Sequence, residues 1–445
     1  MNFDKLTLLL DNGNYIDFIN EIDSIDAVDA AEYLNFVKDK DLLKVFRLLK
    51  KDKSAEIFAE LDPSLQEAII TSITDAEITK LIEELFIDDT VDLLEELPAG
   101  VVNRIIRLSK PETRSEINKF LNYPADSAGG VMTSEFLSVY AEMTVADAIE
   151  RIRKIGYEKE TVYVIYVTDK ARILQGTVEL KDLLFSPSNA LISDIMKTSA
   201  KFATTLYDRE SVAAMISKYD LLALPVVDKE NRLVGIVTVD DALDVIEEET
   251  TEDIEIMAAI SPTDKPYMKT GVFETFRKRI PWLLILLISA TFTGSIITHY
   301  ETALGATVVL TAFIPMLMDS GGNAGAQASV TIIRGLSLGE IRMRDIFKIL
   351  WKEFRVSLLC GAILTMVVFL KAIWFDKVSF EVAMVVSLTL LATIIIAKLV
   401  GCSLPILAKR IGFDPAVMAS PFITTTVDAL SLLIYFRIAT LILKI

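Results

Sequence analysis

The sequence predicts an α-helical integral membrane domain with five spans per chain, preceded by a cytosolic α-solenoid N-domain and two tandem α/β domains. The chain has 445 residues, a hydrophobic fraction of 52% and a mean hydropathy of +0.43, which is high for a soluble protein. Charge is unevenly spread. Residues 281–445 carry 13 Lys and Arg against 9 Asp and Glu, so the net charge of −17 leaves −21 for residues 1–280. An acidic, water-soluble part therefore precedes an apolar one.

Residues 1–125 predict a stack of short helices, an acidic N-domain built from helical repeats. Apolar residues recur at helical spacing in KSAEIFAELDPSLQEAIITSI, where Asp62-Pro63 starts a new helix. Pro98 occupies the matching position 35 residues after Pro63, which is the spacing of a two-helix repeat. The opening MNFDKLTLLL lacks the basic start and cleavage site of a signal peptide, so we expect the N-terminus in the cytosol.

Residues 126–190 and 191–245 predict two copies of one α/β domain. TVYVIYVTD is rich in β-branched and aromatic residues, and ALPVVDKENRLVGIVTVDDALDVI predicts strand, turn, strand and helix. GGVMTSEFLSVYAEMTVADAIERI resembles SDIMKTSAKFATTLYDRESVAAMI. The tandem resembles a pair of CBS domains, which usually sense ligands. That resemblance implies a nucleotide such as ATP at Thr238 and Asp241; the first copy has Glu179 where Ser or Thr is usual and keeps Asp182.

Residues 246–270 predict an acidic linker helix followed by a segment rich in helix breakers. EEETTEDIEIM is acidic throughout, and SPTDKPYMKTG ends the helical pattern. The segment joins the α/β tandem to the apolar part. It is therefore a candidate coupling helix, and a solvated connector is the alternative.

Residues 271–445 predict the five spans, at about 281–300, 303–333, 355–375, 381–404 and 416–442. Each holds roughly the 20 apolar residues that cross about 30 Å of hydrocarbon. Basic residues cluster before span one, between spans two and three, and between spans four and five. The positive-inside rule then places the N-terminus inside the inner or plasma membrane and the C-terminus outside it.

Several functional classes are excluded by composition. The only histidine is His299, and the two cysteines, Cys360 and Cys402, lie in apolar runs, so we expect neither a disulfide framework nor histidine-based catalysis. We predict a protein that is not an enzyme. The acidic part should repel nucleic acid and anionic lipid and attract cations.

The second span is unusually polar. IPMLMDSGGNAGAQASVTIIR combines helix breakers, small residues and polar side chains within one span: Pro315, Asp319, Gly321, Gly322, Asn323, Gly325 and Gln327. Polar groups at membrane depth need protein or a water-filled cavity around them. We interpret the segment as pore-lining. The alternative is a packing seam, because Gly321 and Gly325 form a small-xxx-small pattern.

The last span contains a carboxylate, Asp428. A charge at the centre of a span costs roughly 2.5–3.5 kcal/mol, and such residues usually mark an ion path. Ser420, Thr424 and Thr425 supply further oxygens before it. Oxygen ligands without His or Cys favour a hard cation, Mg²⁺ or Ca²⁺, and a largely hydrated Mg²⁺ suits few carboxylates. The alternative is an ion pair of purely structural value.

The order of these domains, together with the motifs PMLMDSGGNAGAQ, IIR, EEETTEDI and FDPAVMASPFITTTVD, resembles the MgtE family of magnesium channels over nearly the whole chain. The resemblance implies a homodimer with the pore on its two-fold axis and Mg²⁺ at Asp428 of each subunit. Ser420 stands where some members carry Asn, and Asp319 where some carry Gly. The family also implies closure by cytosolic Mg²⁺ at sensor positions, here Glu56, Asp88, Asp92, Asp208, Glu210, Asp220, Asp241, Glu249, Glu252, Asp253 and Asp414.

Two other functions stay open on sequence grounds. One is a secondary transporter that couples a divalent cation to H⁺ or Na⁺, with Asp428 as the protonated group. The other is a membrane-anchored CBS sensor that transports nothing. Selectivity among Mg²⁺, Mn²⁺, Co²⁺ and Ca²⁺ also stays open. Beyond a second copy of the chain and membrane lipid, we expect no macromolecular partner.

Overall fold

The computed structural model describes residues 3–263, 267, 268, 270–300, 305 and 308–444, with the side chains of all of these except Asp39, Lys40, Asp52, Glu158 and Ser420. The chain forms two compact units, residues 1–246 and residues 247–445. Parts of the predicted linker and the start of the predicted second span lie outside the described residues, as does the side chain of Ser420.

The first unit begins with ten helices of nine or ten residues. Their bounds are α1 Phe3–Asp11, α2 Tyr15–Asp23, α3 Ala27–Phe36, α4 Asp39–Leu48, α5 Lys51–Ala59, α6 Pro63–Ser72, α7 Asp75–Glu84, α8 Ile87–Glu96, α9 Ala99–Leu108 and α10 Pro111–Phe120. Some helix starts are capped by side chains: Thr74 and Glu77 form a capping box at α7.

Alternate helices of this part pack on one another. Helix α3 contacts α5, α5 contacts α7 and α7 contacts α9, while α4, α6, α8 and α10 form a second series. Their apolar faces meet in one core that includes Phe18, Tyr33 and Phe58. This alternation is compatible with the predicted helical repeat.

Two α/β domains of identical topology complete the first unit. The first has β1 Ser138–Tyr140, α11 Val145–Ile155, β2 Val164–Thr168, β3 Leu174–Glu179 and α12 Leu180–Phe185, and the second has α13 Ile192–Ile195, β4 Ala203–Thr204, α14 Arg209–Tyr219, β5 Ala223–Val227, β6 Leu233–Thr238 and α15 Val239–Met257. In each three-stranded sheet the first strand is parallel and the third antiparallel to the central one. Central strand β5 is buried along its whole length, as its apolar sequence predicts.

The second unit begins within α15 and continues as a bundle of long helices. The helices are α16 Val272–His299, α17 Val309–Ser337, α18 Ile346–Trp374, α19 Phe380–Arg410 and α20 Ser420–Leu443. Within the described chain, four helical stretches are long and apolar enough to cross a membrane: Val272–His299, Met343–Trp374, Phe380–Arg410 and Pro415–Leu443. Helix α17 is as long as these, but its polar residues keep it outside that group.

Helices α17 and α19 approach each other until their backbones touch. A Cβ atom built on Gly401 of α19 would collide with the carbonyl oxygen of Gly325 in α17. Only glycine permits this approach, which is typical of helix packing in membranes. The contact fixes how α17 lies in the bundle.

We expect Gly401→Ala to destabilise the second unit, because its methyl group would meet a backbone oxygen that cannot rotate away. The expected cost is about 2 kcal/mol, within the range for overpacked sites. Thermal unfolding of the purified protein in detergent measures it. Gly294→Ala in α16 is the matched control, since nothing lies within 4 Å of its added methyl group. Equal stability of the two variants would contradict the close approach.

Candidate functional site

Asp428 of α20 and Asp319 of α17 lie at the same level of the bundle. A Cβ atom on Gly321 would meet Val427 at 2.9 Å, and one on Gly325 would meet Ile423 at 2.7 Å, so the two helices run antiparallel. This register places residue 319 opposite residues 428 and 429, and the two carboxylates repel each other electrostatically. Among the described residues, neither makes an ion pair, including with Arg437. Two carboxyl groups therefore share one level.

The threonines before Asp428 present oxygen atoms on its side of the helix. Thr424 and Thr425 precede Asp428 by four and three residues, which places them on the same helix face. Their hydroxyls donate to the carbonyl of Pro421 at 3.0 and 2.9 Å. Because the hydroxyl protons point back along the helix, the oxygens are oriented to act as acceptors. This arrangement suits the hydrogens of a metal-bound water.

One face of α17 is a polar stripe, formed by residues that recur every four positions. Asp319, Asn323, Gln327 and Thr331 are exposed, and Pro315 begins the same face. The opposite face, with Gly321, Gly322 and Gly325, is buried against the neighbouring helices. Thr331 was missed by the sequence analysis, although the four-residue spacing in DSGGNAGAQASVT was the available signal. A polar face on a membrane helix needs water or another protein surface.

A second group of carboxylates, the acidic cluster, lies in the first unit. It joins Asp88 and Asp89 at the start of α8 with Glu160 after α11 and Asp241 at the start of α15, with Glu60 nearby. Asp241 accepts hydrogen bonds from the Thr238 N–H at 3.2 Å and from its hydroxyl. Oδ1 of Asp88 is buried and finds no hydrogen-bond partner in the described part of the chain. The sequence analysis missed Asp89, Glu160 and Glu60, because this contact joins segments far apart in sequence.

Burial and mutual repulsion disfavour the charged forms of the acidic cluster. Burial, and then Asp89, raise the pKa of Asp88 to about 8. Burial, and then Asp241, raise the pKa of Glu160 to about 7 and that of Asp89 to about 6. Burial also raises the pKa of Asp241 despite its bonds from Thr238. The cluster therefore holds protons near neutral pH unless a cation replaces them.

These shifts predict that the first unit is more stable at pH 6 than at pH 8. A carboxyl group with a raised folded-state pKa stabilises the fold fully below its unfolded pKa, and the effect is lost as pH rises through the folded pKa, here about 6 to 8. The slope is about 1.4 kcal/mol per pH unit for each group that titrates. Unfolding of the chain in chelator at both pH values measures it.

Asp88→Asn should reduce that pH dependence, and Mg²⁺ added at pH 8 should raise the unfolding temperature of the native chain. Glu112→Gln is the matched control, since Glu112 is an exposed acid of α10. A native unfolding temperature that rises from pH 6 to pH 8 in chelator would contradict the assigned direction.

A cleft between the two α/β domains has the chemistry of an anion site. It has a volume of about 680 Å³, and its lining includes Lys181, Lys197, Lys201, Glu179 and Asp220. Glu179 is ion-paired with Lys181 at 2.5 Å and with Lys197. The hydrogen bond from Lys181, followed by the one from Lys197, holds the pKa of Glu179 below its usual range. Thr238 and Asp241 do not line this cleft, so their nucleotide role remains a prediction.

The remaining predicted sensor positions of the first unit lie apart from the acidic cluster or at its edge. Glu56 is exposed and pairs with Lys53 at 3.6 Å. Asp208 caps α14 through the Ser211 N–H at 3.2 Å, with Glu210 exposed in the first turn. Asp92 is exposed on α8 one turn after Asp88, and Asp220 ends α14. Of this set, Asp88 and Asp241 are the pair that the described structure shows together in the acidic cluster.

A third group, the linker-end acids, lies in the second unit. Asp253 near the end of α15 is close to Asp414, which caps the turn before α20, and to Glu249. The Ser337 hydroxyl donates to Asp253 at 3.5 Å, and Arg334 lies nearby. Burial, and then Asp414, raise the pKa of Asp253. Glu252 is half-buried beside Asp253 on α15. The predicted sensor residues Asp253 and Asp414 therefore lie together near the last residues of α17 and before the start of α20.

Within the residues that the structure describes, no three His, Cys, Asp or Glu side chains are close enough together to hold a metal ion. Carboxylates repel one another in each of the three groups above. Each contains like charges that an incoming cation would neutralise.

Family profiles match most of the chain. The profile described as "Divalent cation transporter" matches residues 314–438, the one described as "MgtE intracellular N domain" matches 25–126, and the CBS domain matches 128–188 and 192–248. The magnesium transporter MgtE of Thermus thermophilus is 36% identical over 90% of this chain and 89% of its own length. That of Bacillus subtilis is 33% identical over 99% of this chain and 98% of its own length.

Two solved structures resemble the N-terminal part. One is the soluble part of a magnesium transporter, with a TM-score of 0.53 and 29% identity, covering 56% of this chain and 97% of that structure. The other is the cytosolic domain of the Mg²⁺ channel MgtE in complex with ATP, with a TM-score of 0.53 and 34% identity, covering 55% of this chain and 99% of that structure.

Proposed function

This chain belongs to the MgtE family of divalent cation transporters, and on that premise we propose that it carries Mg²⁺ into the cytosol through a pore lined by α17 and α20. The family is one of transporters, which agrees with the prediction that the chain is not an enzyme. The relatives that share nearly its whole length are magnesium transporters, so Mg²⁺ is the cargo we assign.

The pore proposal rests mainly on one observation: Asp319 and Asp428 lie at the same level of the bundle. Two carboxylates without an ion-pair partner in the described chain, flanked by threonine oxygens, offer hard oxygen ligands. Mg²⁺ gives up its water reluctantly, so a few carboxylates and acceptor oxygens suit a hydrated ion better than a closed cage does. This supports the role predicted for Asp428, Thr424 and Thr425.

The polar stripe of α17 supports a five-span domain and a homodimer. Helix α17 falls short of the hydropathy of the four apolar stretches because of the stripe, as a helix lining a water-filled pore would. A two-fold axis along the stripe would place two copies of Asp319, Asn323 and Gln327 around one channel. In this arrangement the soluble N-terminal half is cytosolic and the C-terminus lies outside the cell.

Flux of divalent cations into liposomes that contain the purified chain tests the function. We expect Mg²⁺ uptake at fixed membrane voltage that is the same with and without a pH or Na⁺ gradient. Uptake that required either gradient would indicate a coupled transporter. Absence of divalent flux at low Mg²⁺ on the cytosolic side would indicate a membrane-anchored sensor.

We also propose that cytosolic Mg²⁺ closes the pore through the acidic cluster and the linker-end acids. Carboxylates lie close together in both groups, so a bound cation would relieve the repulsion within each group. Asp88, Asp241, Asp253 and Asp414 are the central residues of this sensor. The other family positions remain predicted participants: Glu56, Asp92, Asp208, Glu210, Asp220, Glu249 and Glu252.

A nucleotide is a second ligand, and the cleft between the α/β domains favours it. Three lysines around a cavity of about 680 Å³ can neutralise a polyphosphate. A cytosolic domain 34% identical to this chain was solved in complex with ATP. In this chain, Glu179 occupies two of the lysines, so a phosphate group must displace a carboxylate.

We expect Glu179→Thr to lower the Kd for ATP by about tenfold, because Lys181 and Lys197 lose a competing internal anion. Adenosine, which carries no phosphate, should bind equally to both proteins. Calorimetric titration of the full chain in chelator measures both. Glu230→Gln is the control, since Glu230 pairs with Arg232 and does not line the cleft. Weaker or unchanged ATP binding in Glu179→Thr would contradict this role.

A further inference from the structure

A lysine and a glutamate are paired inside the helical bundle of the second unit. Lys398 Nζ of α19 lies 3.8 Å from Glu353 Oε2 of α18, and the two side chains are only 7% and 14% exposed. Lys398 precedes the end of α19 at Arg410 by 12 residues, or about 18 Å along the helix. A lysine near a membrane surface usually extends its ammonium into water. This one is buried instead, against a carboxylate.

The pair continues an apolar contact line between α18 and α19. A Cβ atom on Gly361 of α18 would meet Leu391 at 2.6 Å and Ile394 at 4.0 Å. Glu353 precedes Gly361 by about two helical turns, and Lys398 follows Leu391 by about two turns. In antiparallel helices these steps lead to the same place. The ion pair is therefore the polar end of the face that α19 presents to α18.

The neighbouring face of α19 packs against the pore-lining helix α17. Gly401, three residues after Lys398, lies against the Gly325 carbonyl, and Thr393 is 2.6 Å from the Cβ position of Gly321. Gly321 and Gly325 also contact Val427 and Ile423 of α20, beside Asp428. Through these contacts, the orientation of α19 determines how α17 packs, and α17 in turn determines how α20 packs.

Apolar contacts alone would fix the rotation of α19 weakly, since one apolar side chain can replace another. An ion pair in an apolar setting differs, because a rotation that separates the charges leaves both uncompensated. A rotation by one residue would also bring Val400 or Cys402 to the place where only glycine fits against Gly325. The pair and the glycine contact therefore specify the same rotation from two faces.

We propose that Lys398 and Glu353 are positioning residues of the pore. Their ion pair holds the rotation of α19 that lets Gly401 meet Gly325, which keeps α17 and α20 in the register where Asp319 and Asp428 are level. The inference rests on the proposed pore, and it assigns these residues no contact with the ion.

The test uses the full chain with Cys360→Ser, so that Cys402 is the only thiol. Cys402 of α19 is fully buried in a cluster with residues of α17 and α18. Glu353 and Lys398 act on its thiol electrostatically with opposite sign, so reactivity with a small thiol reagent that appears in variants of both residues reports a turn of α19 and not a change of local charge. In Glu353→Gln and in Lys398→Met we expect Cys402 to become reactive. The Mg²⁺ concentration for half-maximal flux should rise by at least about fivefold, since breaking a buried pair is costly.

Rescue separates positioning from mere stability. Lys398→Arg keeps the charge and should behave as the parent does, and the exchange Glu353→Lys with Lys398→Glu should return both readouts to within about twofold of it. Asp345→Asn, which breaks an exposed pair with Lys348 at 3.2 Å, is the control that should change neither.

The proposal would be overturned if Glu353→Gln and Lys398→Met only lowered the protein yield, with an unreactive Cys402 and an unchanged Mg²⁺ concentration for half-maximal flux. It would also be overturned if both variants behaved like the parent. The labelling of Cys402 needs no transport. If the parent showed no flux, the pore function would fail, while labelling would still decide the role of the pair.

Discussion

We expect Asp428→Asn to lower Mg²⁺ flux by at least about 100-fold while the protein stays folded, because the carboxylate charge that would hold the hydrated ion is lost. Asparagine keeps the size and one oxygen of aspartate but loses its charge, and charge-assisted contacts to a cation's waters are roughly twice as strong as neutral ones. Asp428 makes no ion pair within the described chain, and the nearby Asp319 repels it. Removing the charge also removes an insertion cost of roughly 2.5–3.5 kcal/mol, so we expect unchanged or higher thermal stability.

Flux of Mg²⁺ into liposomes and the unfolding temperature in detergent together measure this effect. The matched control is Asp376→Asn, which removes an acid that pairs with Lys371 at 2.7 Å just beyond the end of α18. Near-normal flux in Asp428→Asn would refute the pore assignment. Loss of flux accompanied by loss of folded protein would indicate a structural role instead.

We expect Asp253→Asn combined with Asp414→Asn to leave the proposed pore open at Mg²⁺ concentrations that close it in the native chain. Burial and Asp414 raise the pKa of Asp253, so the pair is costly unless a proton or cation neutralises it. The double variant has no carboxylate at these two positions to hold the ion. We expect the Mg²⁺ concentration for half-maximal closure to rise by at least about tenfold, or about 1.4 kcal/mol.

Current or flux at stepped cytosolic Mg²⁺ measures closure. Glu340→Gln, an exposed acid in the loop after α17, serves as the control. An unchanged closing concentration would show that the ion acts elsewhere. A variant closed without any Mg²⁺ would show that charge repulsion between Asp253 and Asp414, rather than a bound ion, governs the gate.

Local sequence patterns predicted most of the helices and strands, and they singled out the polar residues of α17 and α20. Runs rich in β-branched and apolar residues predicted β2 and β5, and the long apolar runs predicted α16, α18, α19 and α20. The second span was predicted at about 303–333, and described helix α17 extends to Ser337. Hydropathy alone could not locate the end of this helix, because polar residues occur along its length as well as near its end at Arg334.

Contacts between distant segments could not be predicted in the same way. Glu160 joins Asp88 only through the packing of α8 against the α/β tandem, and no motif surrounds it. The sequence did not single out Lys398, because one lysine barely lowers the hydropathy of IIIAKLVGC and its partner Glu353 lies 45 residues earlier. The family resemblance predicted the sensor positions, and the structure shows which of them lie near one another.

On the proposed sensing role, the protons held by the acidic cluster would make ion binding an exchange reaction. A divalent ion entering beside Asp88 and Glu160 must expel the protons that these groups hold at neutral pH. Its apparent affinity therefore falls as the cytosol acidifies, and binding releases acid to the buffer. The proposed sensor would thus respond to protons as well as to magnesium, so the Mg²⁺ concentration that closes the channel would depend on cytosolic pH.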